Sequence, residues 1–390
     1  MRGSPAAALN QGTTPNNLRS LFCLPEDYEG NMEMIKKSSY GAMKLLRVLD
    51  LQRVKSIPNS LLKQIGKLIL LTYLNLRGTN IKELPSSIGD LRNLQTLNLQ
   101  YTPLRQLPQT IMKLKQLRNL VFFSTSDDGT QSFDYPLDHM MDLQILMLNE
   151  GKWIDGSLEK LTNLRALSIN SSGSMSPYKE ALLNALPRLN HLRCLQLVDW
   201  TRIGGNEAVV LPVSFSGHLE LYHMDLVGIS GILDFHPNLT TLSFNSPGGQ
   251  GIDELMVNLK KLPKLRCLDL TSVGDLGSNV IFSADGFRQL EELVLTKWEE
   301  FTVEEGALPN LRVLNIVAGK LKMLPYGLKQ VVTLQELTLG LMSDELQDRV
   351  RKDAGEDWDI IKHIPSIKID ESKGRFILPN ACQYEIDSWC

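Results

Sequence analysis

The sequence predicts an α/β solenoid: short repeated units wound into a coil, with a parallel β-sheet along one side and loops or short helices along the other. Three observations carry this. The pattern L-x-x-L-x-L, in places degenerate, opens at Leu18, Leu46, Leu71, Leu94, Leu117, Leu143, Leu164, Leu192, Leu221, Leu239, Leu265, Leu290, Leu311, Leu334 and Ile364, with starts 18 to 30 residues apart. The best preserved copies run through a threonine, Thr79 or Thr102, to a Leu-Pro step at Leu84-Pro85 or Leu107-Pro108. An apolar residue, Ile88 or Ile111, follows three places after each proline.

Each part of the pattern has a physical reason. Alternate side chains of a strand share a face, so Leu74 and Leu76 point inward while Tyr73 and Asn75 point outward. Proline cannot donate to a strand ladder, so the chain turns there and returns along the other side. One unit cannot bury its apolar face alone, but stacked neighbours make a continuous core. This is the leucine-rich repeat, and it predicts a horseshoe with a concave parallel sheet of about fifteen short strands. A chain of 390 residues would otherwise suggest two ordinary cores.

Taken in order, residues 1–16, rich in Ala, Gly, Thr and Asn, are expected to be disordered. Residues 17–340 form the solenoid, and LRSLFCL supplies its first, degenerate strand. Polar excursions at Ser124–Met140, Ser171–Glu180 and Thr201–His218 replace the regular return and read as loops. Ala181, Leu182, Ala185, Leu186 and Leu189 have helical spacing and predict a short convex helix within Pro177–Leu192. Trp200 and Trp298 occupy the slot of Thr79 and Thr102, which turns toward the interior, so both are expected to fill the core.

Residues 341–370 read as an end cap of helix and strand, and 371–390 as a tail. Ser343 precedes Asp344 and Glu345, the pattern of a helix N-cap with acids in the first turn. Gly355 stops that helix, and Trp358, Ile361, Ile364, Ile367 and Ile369 are expected to close the core.

No run approaches the roughly 18 apolar residues of a membrane span, and the N-terminus has no apolar stretch of signal-peptide length. Cys194 and Cys267 share a strand slot three repeats apart, a separation of roughly 14 Å at the strand spacing. That exceeds the roughly 7 Å limit for a bridge between them. Both are expected to be thiols in a reducing, cytoplasmic or nuclear compartment. The sequons at Asn170 and Asn238 then have no role.

LRVLDLQ, RGTNIKELPSSIGDLRNLQTLNL and above all the ending DELQDRVR…GEDWDIIKHIPSI resemble the C-terminal part of plant coiled-coil, nucleotide-binding, leucine-rich-repeat immune receptors. The resemblance covers about Asn17 to Asp370. It implies recognition of a pathogen effector or a guarded host protein, in defense. It also implies that the first repeats rest on a nucleotide-binding module, in cis or in trans, and hold it inactive. The P-loop pattern G-x-x-x-x-G-K-[ST] occurs nowhere in the chain, so the expectation is a sensor half without its ATPase. A stand-alone intracellular scaffold is the alternative reading.

Net charge is −3, yet Gly41–Leu120 carries thirteen Lys and Arg against three acids, +10, leaving −13 elsewhere. A solvated face, a nucleic-acid stripe and a docking surface for an acidic partner are the three readings. Nucleic acid is disfavoured, because only Tyr73 and Tyr101 offer stacking. The docking reading takes Arg53, Lys63, Lys67, Arg77, Arg92, Lys113, Lys115 and Arg118.

Partner binding is expected on the concave face, at Tyr73, Asn75, Thr96, Asn98, Val121, Ile145, Met147, Gln196, His223, Asp225, Asp269 and Glu292. With Phe123, the residues Val121, Ile145 and Met147 would make an apolar patch. It is either a binding hot spot or a surface covered by the Ser124–Met140 loop. Neither metal-ligand nor catalytic motifs are present: no H-E-x-x-H, C-x-x-C or G-x-S-x-G occurs. No cofactor and no enzymatic activity are expected.

Overall fold

The computed structural model describes residues 18–22, 43–54, 57, 59–122, 133–170, 178–198, 218–225, 237–246, 252–272, 279–317 and 321–370. The chain divides into two units, 1–172 with 177–192, and 193–390 with 173–176.

In the first unit, β1 (Ser20–Phe22), β2 (Val48–Asp50), β3 (Tyr73–Asn75), β4 (Thr96–Asn98), β5 (Asn119–Phe122), β6 (Ile145–Asn149) and β7 (Ala166–Asn170) pair in sequence order, all parallel. The register superposes one repeat on the next, and Leu49, Leu74, Leu97, Leu120, Leu146 and Leu167 become one inward ladder, all buried. The strand expected at LRSLFCL is β1.

The return path is helical but short. It runs through α1 (Asn59–Ile65) and 3-10 helices at Ser86–Asp90, Gln109–Lys113 and Leu158–Lys160. Pro85 and Pro108 stand just before their helices in extended conformation, with ψ 148° and 142°. Each of these two helices closes in an inverse γ-turn. Leu91 has φ −76° and ψ 62°, and Arg92 N donates to Asp90 O at 2.8 Å. Lys115 N likewise donates to Lys113 O at 3.0 Å. Neighbouring coils touch here, since a Cβ on Gly89 would fall on the Thr110 backbone carbonyl. The expected convex helix is α2 (Lys179–Ala185), continued by a 3-10 turn at Leu186–Arg188, with Leu182, Ala185, Leu186 and Leu189 buried.

The far end of each regular strand is closed by an Asx turn, in which a side-chain oxygen accepts the backbone N–H two residues on. Asp50 accepts from Gln52 N at 2.9 Å, Asn75 from Arg77 N at 3.1 Å, and Asn98 from Gln100 N at 3.0 Å. The following residue is left-handed: Arg53 (φ 61°), Gly78 (66°) and Tyr101 (57°). The chain then dives inward, and the buried Thr79 and Thr102 hydroxyls donate to Leu76 O and Leu99 O.

The second unit repeats this plan with β8 (Cys194–Val198), β9 (His218–Asp225), β10 (Leu239–Ser246) and β11 (Cys267–Ser272). A separate two-stranded parallel sheet, β12 (Asn279–Phe282) with β14 (Glu300–Val303), lies on the return side. The main sheet continues through β13 (Glu292–Thr296), β15 (Val313–Val317), β16 (Glu336–Gly340) and β17 (Ser366–Asp370). Helix α3 (Ile252–Leu259) precedes β11. Trp298 fills the core as expected, 3% exposed, with Nε1 donating to Leu270 O at 2.9 Å. Trp200 lies outside the described residues.

The cap begins at Ser343, whose Oγ accepts from Leu346 N at 3.2 Å and donates to Leu321 O at 3.0 Å. It starts α4 (Asp344–Arg349), and α5 (Trp358–Ile361) leads to β17. Leu346, Val350, Ile361 and Ile364 are buried.

Three expectations need correction. Trp358 and Ile367 are half-buried and Ile369 is exposed; among the described residues β17 pairs on one side alone, with β16. In β9, the pair Leu219 and Leu221, not the expected Met224 and Leu226, aligns with Leu195 and Leu197. His218 therefore lies opposite Cys194, and Glu220 rather than His223 opposite Thr241, while an irregularity leaves Asp225 opposite Asn245. Cys267, expected as a thiol, is disulfide-bonded.

Candidate recognition surfaces

The face of each sheet turned away from the leucine ladder carries two rows of side chains. In the first unit, one row runs Val48, Tyr73, Thr96, Asn119, Ile145, and the other Asp50, Asn75, Asn98, Val121, Met147. The structure thus brings the first-unit candidates together, but mostly covered. Asn75, Thr96, Asn98, Val121, Ile145 and Met147 are all buried, and Tyr73 is half-buried.

The cause is local for the polar members. Strands about 4.8 Å apart set these short side chains against one another. Asn75 Nδ2 donates to Asp50 Oδ2 at 3.1 Å, and Asn119 Nδ2 donates to Thr96 Oγ1 at 3.0 Å. Val121 lies opposite Met147 and Asn119 opposite Ile145. Phe123 and most of the Ser124–Met140 segment lie outside the described residues.

In the second unit the rows are Cys267, Glu292, Val313, Glu336 and Asp269, Val294, Asn315, Thr338, Lys368. Gln196 is buried, while Asp269 and Glu292 are half-buried on neighbouring strands. Burial first, then the charges of Asp269 and Glu336, push the Glu292 carboxyl up to about 7. Ser243 Oγ donates to Asp269 Oδ2 at 2.9 Å, and Lys368 Nζ pairs with Glu336 Oε2 at 3.3 Å. Glu336, exposed and not among the expected contacts, completes this acidic area. Its register after Glu292 was the signal for it. Among the described residues no group of three His, Cys, Asp or Glu side chains converges to hold a metal ion.

The fold sorts the eight basic candidates. Lys67 and Lys113 precede the γ-turns, Arg92 and Lys115 follow them, and Arg118 stands just ahead of β5. These five are exposed along the edge where strands begin, and Arg92 Nη1 donates to Lys113 O at 3.1 Å. Lys44 and Arg47 are exposed on the same edge, together with the apolar Leu45 and Ile69. Neither Arg47 nor Ile69 was singled out, although the column one place before Val48, Tyr73, Thr96 and Asn119 identifies Arg47. Lys63 is exposed on α1. Arg53 and Arg77 lie at the opposite edge, past the strand ends, with the Arg77 guanidinium 5.1 Å from the Tyr101 ring centre.

Comparison with known proteins bears on these surfaces. Residues 17–359 match the family model described as "leucine-rich repeat region". The chain is 30% identical over 383 residues to the probable disease resistance protein RXW24L of Arabidopsis thaliana, covering 90% of this chain and 38% of that protein. It is 31% identical over 348 residues to the disease resistance protein RPP8 of Arabidopsis thaliana, covering 85% of this chain and 37% of that protein. The chain thus spans somewhat under two-fifths of these relatives, 38% and 37% of their length. Among solved structures, a leucine-rich-repeat protein of Leptospira interrogans aligns with 94% of this chain and 98% of its own, at 20% identity and a TM-score of 0.43. Among the described residues no helix is long and apolar enough to cross a membrane.

Proposed function

The chain belongs to the leucine-rich repeat region family, and from that premise we propose that it is the recognition part of a cytoplasmic plant immune receptor. The names of its relatives as disease resistance proteins support a role in defense against pathogens. Its work is binding rather than catalysis. The open face of the sheets meets a pathogen effector or a guarded host protein. The basic strand-beginning edge of the first unit docks on the nucleotide-binding domain of a switch protein, in cis or in trans. Partner binding competes with that docking, and the free energy difference between the two states releases the switch.

The observation that carries this reading is the edge itself. Lys67, Arg92, Lys113, Lys115 and Arg118 stand exposed in one strip, with Asp90 as the interposed acid of the same columns. Such a field steers an acidic partner and sets its orientation. It also predicts salt sensitivity, because exposed charges are screened beyond about 8–10 Å in physiological salt.

The test is binding of the chain to the nucleotide-binding part of an RPP8-type protein. The triple variant Arg92→Glu, Lys113→Glu, Arg118→Glu should bind at least about tenfold more weakly, and the wild-type affinity should fall with salt. Indifference to both rejects the docking role.

A further inference from the structure

On the return side of the second unit, β14 forms one wall of an open groove of about 1380 Å³. The segment Leu321–Gln330 lines it, and α4 and α5 close the other side. It exceeds the roughly 300–1,000 Å³ of a typical small-molecule site. Its shape is held from beneath. Asp357 Oδ2 accepts from Leu324 N at 2.8 Å, and Gly327 sits so close to Val303 that an added Cβ would strike the Val303 carbonyl.

The groove has a consistent chemistry. Besides the buried Asp357, six exposed carboxylates line it, from Glu299, Glu300, Glu305, Glu345, Glu356 and Asp359. Arg349 holds Glu356 and Lys362 holds Asp359, whereas among the described residues no ion pair engages Glu300, Glu305 or Glu345. Lys322 and Lys329 are the exposed cations of the lining. Between the acids stand two large apolar side chains in water, Met323 at 55% and Tyr326 at 67% exposure. The Tyr326 ring already accepts a cation, with Lys329 Nζ 5.6 Å from its centre.

We propose that this groove docks an extended protein segment carrying Lys or Arg beside an apolar side chain. Charge complementarity selects the partner. The carboxylates repel the phosphates of a nucleic acid or an anionic lipid. A free polyamine would satisfy them but leave Met323 and Tyr326 in water, where exposed aromatic and methionine side chains are the usual anchors of protein contacts. The surface lies on the return side of the second unit, away from that unit's open face, and the proposal stands whether or not the open face and the basic edge serve the roles given above.

The probe is a fluorescein-labelled heptapeptide of alternating lysine and leucine, titrated with the full chain at physiological salt and read by anisotropy. It should bind saturably. Heptapeptides alternating lysine with serine, or glutamate with leucine, should bind at least about tenfold more weakly. The double variant Glu300→Lys, Glu345→Lys and the single variant Tyr326→Ala should each lose about tenfold in affinity, while the exposed Glu83→Lys of the first unit changes nothing. These positions are exposed, so thermal melting should confirm folding, and hydrogen exchange in wild type should slow at residues 299–305 and 322–330 when the peptide binds. No binding, equal binding of the three peptides, or indifference to the groove variants overturns the proposal. So does concentration-dependent self-association abolished by the same variants, which would assign the groove to a second copy of the chain.

Discussion

Arg349 and Asp357 form a two-pronged ion pair: Nη2 donates to Oδ1 at 2.7 Å and Nε donates to Oδ2 at 3.1 Å. The Asp357 side chain is 3% exposed, and it also accepts the Leu324 N–H at 2.8 Å. One carboxylate therefore ties α4, the residue ahead of α5 and the preceding repeat together. This explains why the ending DELQDRVR…GEDWD spaces an arginine and an aspartate eight residues apart. Gly355 lets the chain fold back between them, because a Cβ there would meet the Arg349 carbonyl.

Replacing Asp357 with Ala leaves a guanidinium and a buried N–H without their acceptor. Breaking a buried pair costs about 3–5 kcal/mol, and Arg349 at 24% side-chain exposure places this case toward the low end. Urea unfolding should show that loss, with faster hydrogen exchange confined to 343–370. A cost under about 1 kcal/mol would class the pair with ordinary surface ion pairs.

Leu97 is fully buried between Leu74 and Leu120 on the inward ladder. Leu97→Ala should cost about 2–5 kcal/mol through lost transfer energy and the cavity left behind. Equilibrium denaturation measures it, and a change within noise would remove Leu97 from the core.

The leucine ladder was legible because its period is dictated by burial, and burial leaves a sequence pattern. The Trp298 slot and the Ser343 cap were legible for the same kind of reason, each having a local rule. The left-handed turn after each strand was not. Only Gly78 announces it, while Arg53, Tyr101, Lys297 and Leu341 adopt it with φ between 48° and 62°. The hydrogen-bonded turn imposes that conformation against the residues' own preference. The covering of Asn75, Thr96 and Asn98 was equally hidden, since alternation says which way a side chain points and nothing of how closely its neighbours stand. In β9 two overlapping apolar spacings competed, and the one matching Leu195 and Leu197 prevailed.

Gly89 tests the coil-to-coil contact. Gly89→Ala places a methyl group against the Thr110 backbone carbonyl, which cannot rotate aside as a side chain could. Overpacking of this kind costs about 1–3 kcal/mol. The exposed neighbour Ser86→Ala should stay within about 0.5 kcal/mol. Equal melting temperatures for the two variants would mean that the coils separate freely there.

Glu292 makes stability depend on pH. Asp269 of β11 and Glu336 of β16 raise its charge cost, Val313 and Asn315 of β15 offer no positive charge, and Lys368 of β17 is engaged with Glu336. Its folded pKa of about 7 lies above the ordinary 4.5, so between those values the folded chain holds a proton that the unfolded chain releases. Stability from this group is then full below pH 4.5 and is lost as pH rises toward 7, with no further change above it. Glu292→Gln removes the titration while keeping the shape. Urea midpoints across this range should fall with pH less steeply in the variant than in wild type, and at pH above 7 the variant should be the more stable. Parallel pH profiles would show that Glu292 is hydrated in the folded chain and ionises as it does in water.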